Sequence, residues 1–551
     1  MADSRCEELL RISGTAFEKF RPWYQLNQDI AENFYPMRAD FTTSLNLQNF
    51  AGDSMDSSPF QARETLGNSI DAMLRQGQWF RMGTGDADLD KRPANLVALT
   101  RGTTALTSIV YHRDSGVTGA LKELDMDWVA FGANVMSVEA SSALQNLVYK
   151  PWHLRDNAWI VNKDGVIDWN NRNLRMSARD IKKKFDQGEW TGTMAPAIRD
   201  AAQRDPLKEF LIRHILMPSD EIYGSSQKDM KRLGGKPYVS IYIDVENRTY
   251  LNDRGSAVFN YVIGRNRTLS GLPFGFSPMA LNSIADARML QELSLVILEQ
   301  GQKAVDPPTI GAGHVFTRDI NLFAGGHTEV DLPDEASLKD VFATVETGQV
   351  GVGLEIKQDT RNLIAEAWLL NKLMLPTLRD MREVEVMVRT DEFRRAALPF
   401  FQPIESNYHG EFLGVSYDMA VHLRMMRPDM FTAELRGKGV NFTFTSPLNE
   451  AEGTEIVRQY YEAVNIVAAG AKVDQTIANL FDIRKATEDA ITRGTRSDWL
   501  VPEEQRKEAD KQADVVSGLT QAAQIGREAA GVTADMANAS LAAQQAGLAP
   551  A

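Results

Sequence analysis

The sequence predicts an α+β fold, and three observations carry that expectation. Two apolar helices, at 277–308 and 359–375, flank a glycine-rich segment of short strand-like runs. Residues 147–171 and 238–243 alternate with the period of two that a half-buried sheet requires. Residues 5–35 instead repeat Leu9, Leu10, Phe17, Phe20, Trp23, Tyr24 and Ile30 at helical intervals until Pro36 ends the pattern.

Taken in order, a polar loop with Gly52, Ser54, Ser57 and Ser58 follows the first helix. A second helix is expected from Phe60 to Met82, delivering Trp79 and Phe80 to an apolar contact. Residues 97–131 read as helix, and from Phe131-Gly132 to Val138 the period falls towards two and a strand begins. Asp164-Gly165 is a hairpin turn, because glycine supplies the left-handed conformation that tight strand connections need. Ser177 caps a helix whose three lysines read as a solvated face, and strands return after Pro218.

Ser277 followed by Pro278 is a strong helix start, since the hydroxyl accepts from orphan N–H groups and proline fits the first turn. Pro307 and Pro308 stop this helix, which spans ~39 Å over 279–304 at 1.5 Å per residue. Arg288, Glu292, Glu299 and Lys303 share one narrow stripe, whereas Leu281, Ile284, Leu290, Leu293, Leu295, Val296, Ile297 and Leu298 spread around the rest. The return helix, with Leu363, Ile364, Trp368, Leu369, Leu370, Leu373 and Met374, is also apolar most of the way round. Such helices need cover on several sides, either inside one large core or between copies of the chain. Both remain open on pattern alone. The intervening 305–353 reads as a small β module at the end of the pair.

Pro376 breaks the return helix, and a further helix is expected from Glu383, bent or interrupted by Pro399 and Pro403. Helical periodicity resumes to about Met426, residues 440–445 alternate as a strand, and 451–499 read as helix. The tail from Glu503 becomes rich in Ala and Gln.

Composition bounds the function classes. The 551 residues provide core for about three or four domains. With 43% hydrophobic and 24% charged residues the chain is globular. A formal net charge of −14 argues against a protein that grips nucleic acid, which takes Lys and Arg to replace released counterions. It leaves room for a passage whose repulsive wall lets DNA slide. Cys6 is the only cysteine, so no intrachain disulfide forms and a reducing compartment is expected. No apolar run approaches a membrane span, LSLVIL at 293–298 being among the longest, and MADSRCEELL lacks a signal peptide's regions. No partnership with a membrane is therefore expected.

No cofactor or metal is expected either. GxxxxGK[ST], HExxH, GxSxG and the dinucleotide glycine fingerprint are all missing from the sequence. The seven histidines show no ligand spacing. The acidic run from Asp86 to Asp90 opens like a calcium loop, but Lys91 stands where glycine is needed and position 12 holds no glutamate.

The run Gly264-Arg265, Ser270-Gly271-Leu272-Pro273-Phe274-Gly275, Pro278 and a long helix ending Gln302-Lys303-Ala304-Val305-Asp306-Pro307-Pro308 resembles the head-to-tail connector (portal) proteins of short-tailed, T7-like bacteriophages. Trp79-Phe80, Phe131-Gly132, the Asp164-Gly165 hairpin, Arg382-Glu383-Val384 and the strand ending Ser446-Pro447-Leu448 fall in the family's order, over about 5–500. Met381 and Arg382 stand where the family has small residues and threonine. Phe274-Gly275 replaces its tyrosine-glycine step.

The resemblance implies a non-enzymatic portal fold assembled as a ring, usually of twelve subunits, around a central DNA channel at one capsid vertex. Its divisions would be the wing at 1–275, the first stem helix at 276–304, the clip at 305–353 and the second stem helix at 354–375. The tunnel loop and wing return would occupy 376–450, and the crown with its helical tail 451–551. Implied partners are the terminase large subunit, a tail adaptor, the major capsid and scaffolding proteins, and double-stranded DNA in transit. Lys372, Arg379 and Arg382 are the candidate phosphate contacts, with solvated residues at a helix end as the alternative reading. Another ring or adaptor protein of the virion, and an α+β enzyme with an unrecognised site, stand as alternative functions.

Overall fold

The computed structural model describes residues 2–43, 54–141, 146–185, 194–223, 233–312, 321–330, 342–344, 350–370, 398–445, 460–467, 482 and 486–487. Their contacts divide the chain into two compact units, Met1–Asp86 with Ala98–Leu448, and Ala87–Val97 with Asn449–Ala551. The larger unit is mixed helix and sheet, as the period changes predict.

Its helices include α1 (Ala2–Phe34) and α2 (Ser58–Leu74). A four-residue turn of helix, α3 (Ala87–Asp90), and the first residues of α4 (Pro93–Val110) fall in the smaller unit; the rest of α4 and α5 (Val117–Phe131) belong to the larger. The expected helix over 60–82 thus ends at Leu74. Gly77 takes a positive φ of 63°, and β1 (Phe80–Gly83) pairs antiparallel with β15 (Asn441–Phe444). The apolar contact expected of Trp79 and Phe80 forms all the same: Trp79 stacks on Phe444, and both Trp79 and Phe80 are buried. The expected run over 97–131 is likewise two helices, separated at Gly116 with φ 67°.

After α5 the strands β2 (Ala133–Ala140) and β3 (Leu147–Pro151) build a three-stranded sheet in the order β3-β2-β9, with β9 at Tyr261–Arg265. A five-stranded antiparallel meander combines β4 (Asn157–Val161), β5 (Ile167–Ser177), β6 (Glu209–Pro218), β7 (Tyr238–Asp244) and β8 (Thr249–Ser256). Gly165 makes the β4–β5 turn at φ 84°, as its sequence requires.

Alternate residues of the meander point to opposite faces. Ile215, Met217, Val239, Ile241 and Ile243 form one core with Cys6 and Leu9 of α1. Phe210 and Ile212 of the opposite parity pack with Ile181 and Phe185 of α6 (Ala178–Phe185) and Ile198 of α7 (Pro196–Arg204). Ser177 Oγ accepts from the Asp180 N–H at 3.2 Å, the cap that the sequence predicts for α6. The short α8 (Ser219–Tyr223) follows β6.

The small ribbon of β10 (Arg267–Thr268) and β11 (Gly275–Phe276) leads into α9 (Pro278–Val305). The β module comes next, as expected: β12 (Thr309–Ala312), β13 (His327–Val330) and β14 (Phe342–Thr344), in the order β13-β12-β14. The return helix, α10 (Val350–Ala367), begins within the segment expected to belong to that module. Beyond it, the expected turn at Pro376 and the helix from Glu383 to residue 397 lie outside the described residues.

Pro403 lies inside a continuous helical stretch and Pro399 in its first described turn, while the helix expected to run into Pro399 from Glu383 lies outside the described residues. Residues 398–404 are helical, Glu405–His409 form a π-helical turn, and α11 (Gly410–His422) continues to a stop before Arg424, where φ is 58°. In the smaller unit, residues 460–467 are helical and Tyr460 Oη lies 2.8 Å from Thr487 Oγ1. Apart from residues 482 and 486–487, the last two of them helical, the remainder of the helix expected over 451–499, and the tail, lie outside the described residues.

Candidate functional site

The helical hairpin of α9 and α10 combines a buried seam with large apolar side chains that are exposed among the described residues. Ser277 caps α9 as its sequence predicts, accepting from the Ala280 N–H at 3.3 Å while its hydroxyl donates to the Val129 carbonyl at 2.6 Å. The same hydroxyl thus starts the helix and ties it to the end of α5. That junction is set by two glycines. Gly132 has φ 72°, and a Cβ there would lie 2.0 Å from the Phe276 carbonyl carbon. A Cβ on Gly275 would lie 2.2 Å from the Gly132 carbonyl oxygen. Backbone meets backbone, so only glycine fits either side.

Inside the chain α9 buries a narrow seam of mostly small residues, Met279, Ala280, Ser283, Ala287, Leu290 and Ser294. Its buried hydroxyls are satisfied locally: Ser283 and Ser294 donate to the carbonyls four residues back, at 2.8 and 2.6 Å. Trp368, just after α10, is fully buried against this seam, its Nε1–H donating to Ser283 Oγ at 2.9 Å and its ring lying 4.9 Å from Phe34. At the far end, a Cβ on Gly353 would lie 3.1 Å from Ile297, so the two helices approach closely there.

The hairpin is held by a clamp that sequence reasoning missed. Asp56, in the loop before α2, is 4% exposed. Its Oδ2 receives Arg361 Nη2 at 2.7 Å, Arg361 Nε at 3.1 Å and Lys357 Nζ at 3.0 Å. Its Oδ1 accepts from the Ser58 N–H and hydroxyl at 2.9 and 2.6 Å. Gln291 of α9 completes the joint: Oε1 accepts from the Met55 and Asp56 N–H groups, and Nε2 donates to the Asp56 carbonyl at 2.8 Å. Burial by itself would raise the Asp56 carboxyl. The Ser58, Arg361 and Lys357 donors outweigh it and hold the carboxyl well below the usual range. The polar character of this loop was visible in the sequence, but its partners lie about 300 residues away.

The exposed surface of the hairpin mixes apolar side chains with polar and charged ones such as Arg288, Glu292, Glu299, Glu355 and Asp359. On α9, Leu281, Met289, Leu295, Val296 and Leu298 are 38–52% exposed, and on α10, Val352, Leu354, Ile356 and Leu363 are 46–53% exposed. With Val305 at the end of α9, 88% exposed, these large apolar side chains are of the kind that protein partners cover.

A second polar joint fixes the π turn. Arg75 of α2 forms a doubled ion pair with Asp125 of α5, both side chains being 2% exposed, and Arg75 Nη1 lies 3.1 Å from His409 Nε2. Because a guanidinium only donates, Nε2 must accept, and burial together with Arg75 keeps the imidazole neutral. Burial pushes Asp125 up to about 6 against the pull of Arg75.

Lys372, Arg379 and Arg382, the candidate phosphate contacts, lie outside the described residues. No group of three or more His, Cys, Asp or Glu side chains able to hold a metal occurs among the described residues. No helix among them is long and apolar enough to cross a membrane.

Comparison with known proteins matches residues 7–493 to the family described as "Bacteriophage head to tail connecting protein". Among solved structures, "Virion of native gene transfer agent (GTA) particle" is similar at 10% identity and TM-score 0.34, covering 74% of this chain and 86% of that one. "Neck of empty GTA particle computed with C6 symmetry" is similar at 10% identity and TM-score 0.34, covering 74% and 87%. No curated protein matches.

Proposed function

The chain belongs to the bacteriophage head-to-tail connecting protein family, and from that premise we propose that copies of it close into a ring, the portal through which the genome enters and leaves one capsid vertex. The family is one of structural virion connectors rather than of enzymes. The observation that supports the ring is the hairpin: among the described residues, α9 and α10 expose ten large apolar side chains. A head-to-tail contact repeated by rotation covers two faces of every hairpin and closes without a free end.

In this reading α9 and α10 are the two stem helices and the β12–β14 module is the clip, which faces the packaging motor and later the tail adaptor. Residues 1–275 are the wing, 376–450 the tunnel loop and wing return, and 451–551 the crown and tail. Energy for packaging comes from a separate terminase. Capsid and scaffolding proteins surround the ring, and double-stranded DNA passes through it, with Lys372, Arg379 and Arg382 meeting its phosphates.

Light scattering with electron microscopy of the purified chain tests the assembly. A ring many times the 61.4 kDa of one chain is expected. Leu298→Asp combined with Leu354→Asp should leave the fold intact and abolish the ring, because each substitution puts a charge where a neighbour's apolar surface is expected. A wild-type chain that stays monomeric at high concentration overturns the proposal, as does a double variant that still closes.

A further inference from the structure

Away from the hairpin, the five-stranded meander carries one row of polar side chains across its whole width. By register, Asn157 of β4 stands beside Arg172 of β5, Arg172 beside His214 of β6, His214 beside Tyr242 of β7 and Tyr242 beside Asn252 of β8. Directly paired residues share a face of an antiparallel sheet, so the row points to one side. Asn157, Arg172, His214 and Asn252 are all buried.

What the row meets is the three-stranded sheet. Tyr261 of β9 places its Oη 2.7 Å from His214 Nδ1, and the Arg172 guanidinium carbon lies 3.7 Å from the Trp152 ring centre and 5.4 Å from that of Tyr261. Ser137 of β2, the register partner of Tyr261, is fully buried on the same face. Its Oγ accepts from Trp152 Nε1 at 2.8 Å and donates to Glu139 Oε1 at 3.0 Å. The two sheets share no strand, and each has apolar backing of its own. The meander has cores against α1 and against α6 and α7, whereas the three-stranded sheet packs Tyr149 on Phe412 of α11 and brings Gly264 against the Trp128 ring of α5. The seam between them is made of hydroxyls, rings and charges.

His214 stands at the centre of this seam. Its Nε2 lies 2.8 Å from Ser240 Oγ, and Tyr242 stacks on the ring at 4.3 Å. Both polar partners are hydroxyls, which donate or accept, so the two bonds tolerate either charge state of the imidazole. The surroundings do not. Arg172 faces it from β5, and Lys184 of α6 lies over the Tyr242 ring at 4.2 Å. Glu139, the carboxylate of the seam, is paired with Lys150 of β3 at 2.7 Å. Burial first, and then Arg172 and Lys184, keep the imidazole neutral and hold its titration well below the ordinary histidine range.

We propose that this polar row is an acid-sensitive latch between the two sheets, closed while His214 is uncharged and released when a proton makes it a third cation beside Arg172 and Lys184. A histidine whose folded value is depressed contributes stability that is complete above its open-state value, ~6.5, and is lost as pH falls below it. Between pH 7 and 5 the closed-to-open ratio of the seam therefore falls about 25-fold. The strands within each sheet stay paired. The latch needs no second copy of the chain and stands whether or not a ring forms.

Native-state thiol labelling of the full-length chain carrying Ser137→Cys tests it. The introduced thiol reports opening of the seam, and Cys6, fully buried in the meander core, reports opening of the meander itself. With the thiolate fraction corrected on an unfolded peptide of the same sequence, labelling at the seam should be about 25-fold faster at pH 5 than at pH 7. Cys6 should change by less than about threefold. Adding His214→Gln, which stays neutral and can still bond both hydroxyls, should bring the seam response below about threefold as well. A second measurement needs no variant: deuterium exchange at the imidazole C2 position of the wild type, read by mass spectrometry, should give His214 a midpoint below about 5. The proposal is overturned by seam labelling indifferent to pH, by the same acid response in His214→Gln, by Cys6 labelled in step with the seam, or by a His214 midpoint near ~6.5.

Discussion

Replacing Asp56 by Asn retains the shape of the side chain while removing the charge that holds α10 against α9 and the loop before α2. Two cations lose their counter-charge, and the new amide N–H₂ faces donors it cannot satisfy. Breaking a fully buried pair costs roughly 3–5 kcal/mol. Here the Arg361 and Lys357 side chains are 40% and 18% exposed and regain part of their hydration, which lowers the expected loss to about 2–3 kcal/mol. The loss is local, so it should appear as amide exchange in 350–367 faster by about 30- to 150-fold, at about 1.4 kcal/mol per decade. Exchange in the β5–β7 meander should stay unchanged. The sign with pH is fixed by the depressed carboxyl. Asp56 stabilises the clamp fully above its unfolded value near ~4, and that stability is lost as pH falls further, through the folded value. Exchange in α10 that changes less than about threefold, or a loss spread evenly over the larger unit, would refute the idea that this carboxylate holds the hairpin.

Gly132→Ala should cost about 2 kcal/mol or more, since it adds a left-handed alanine and a collision with the Phe276 backbone; a thermal melt within about 1–2 °C of wild type contradicts the backbone-contact argument. Asp125, pushed up to about 6, favours its protonated form in the folded chain, so its contribution to stability is lost as pH rises through about 6. The stability of the wild type minus that of Asp125→Asn, from urea midpoints, should therefore fall between about pH 4 and 7, and a difference independent of pH would show that burial is not the dominant influence. Neutralising Lys372, Arg379 and Arg382 together should shorten the packaged genome or lower its yield, and unchanged packaged length removes them as phosphate contacts.

Much of the fold was legible because its signals are local. Ser277-Pro278 starts a helix and Asp164-Gly165 turns a hairpin through chemistry confined to a few neighbours. The alternation of β5 to β7 reports two buried faces without reference to distant sequence. What escaped was set by remote partners. Phe80–Gly83 looks like the end of a helix because its strand identity comes from Asn441–Phe444, some 360 residues later. Asp56 looks like one polar residue among serines because Arg361, 305 positions away, gives it its role. The π turn at Glu405–His409 has no local signature because the contact on His409 comes from Arg75, 334 positions earlier.

The two glycine steps join these cases. In the sequence, Phe131-Gly132 and Phe274-Gly275 stand out only as positions shared with a family, weak on their own and nearly 150 residues apart. Their geometry supplies the cause: each lacks a Cβ because the other's backbone, or its neighbour's, occupies that space. The contact sets where Ser277 can cap α9, and hence where the hairpin leaves the body of the chain. With Asp56 fixing the same hairpin through α10 and Gln291, its direction is held by backbone packing and a buried charge rather than by its exposed apolar faces. Those faces are consequently left available to bind.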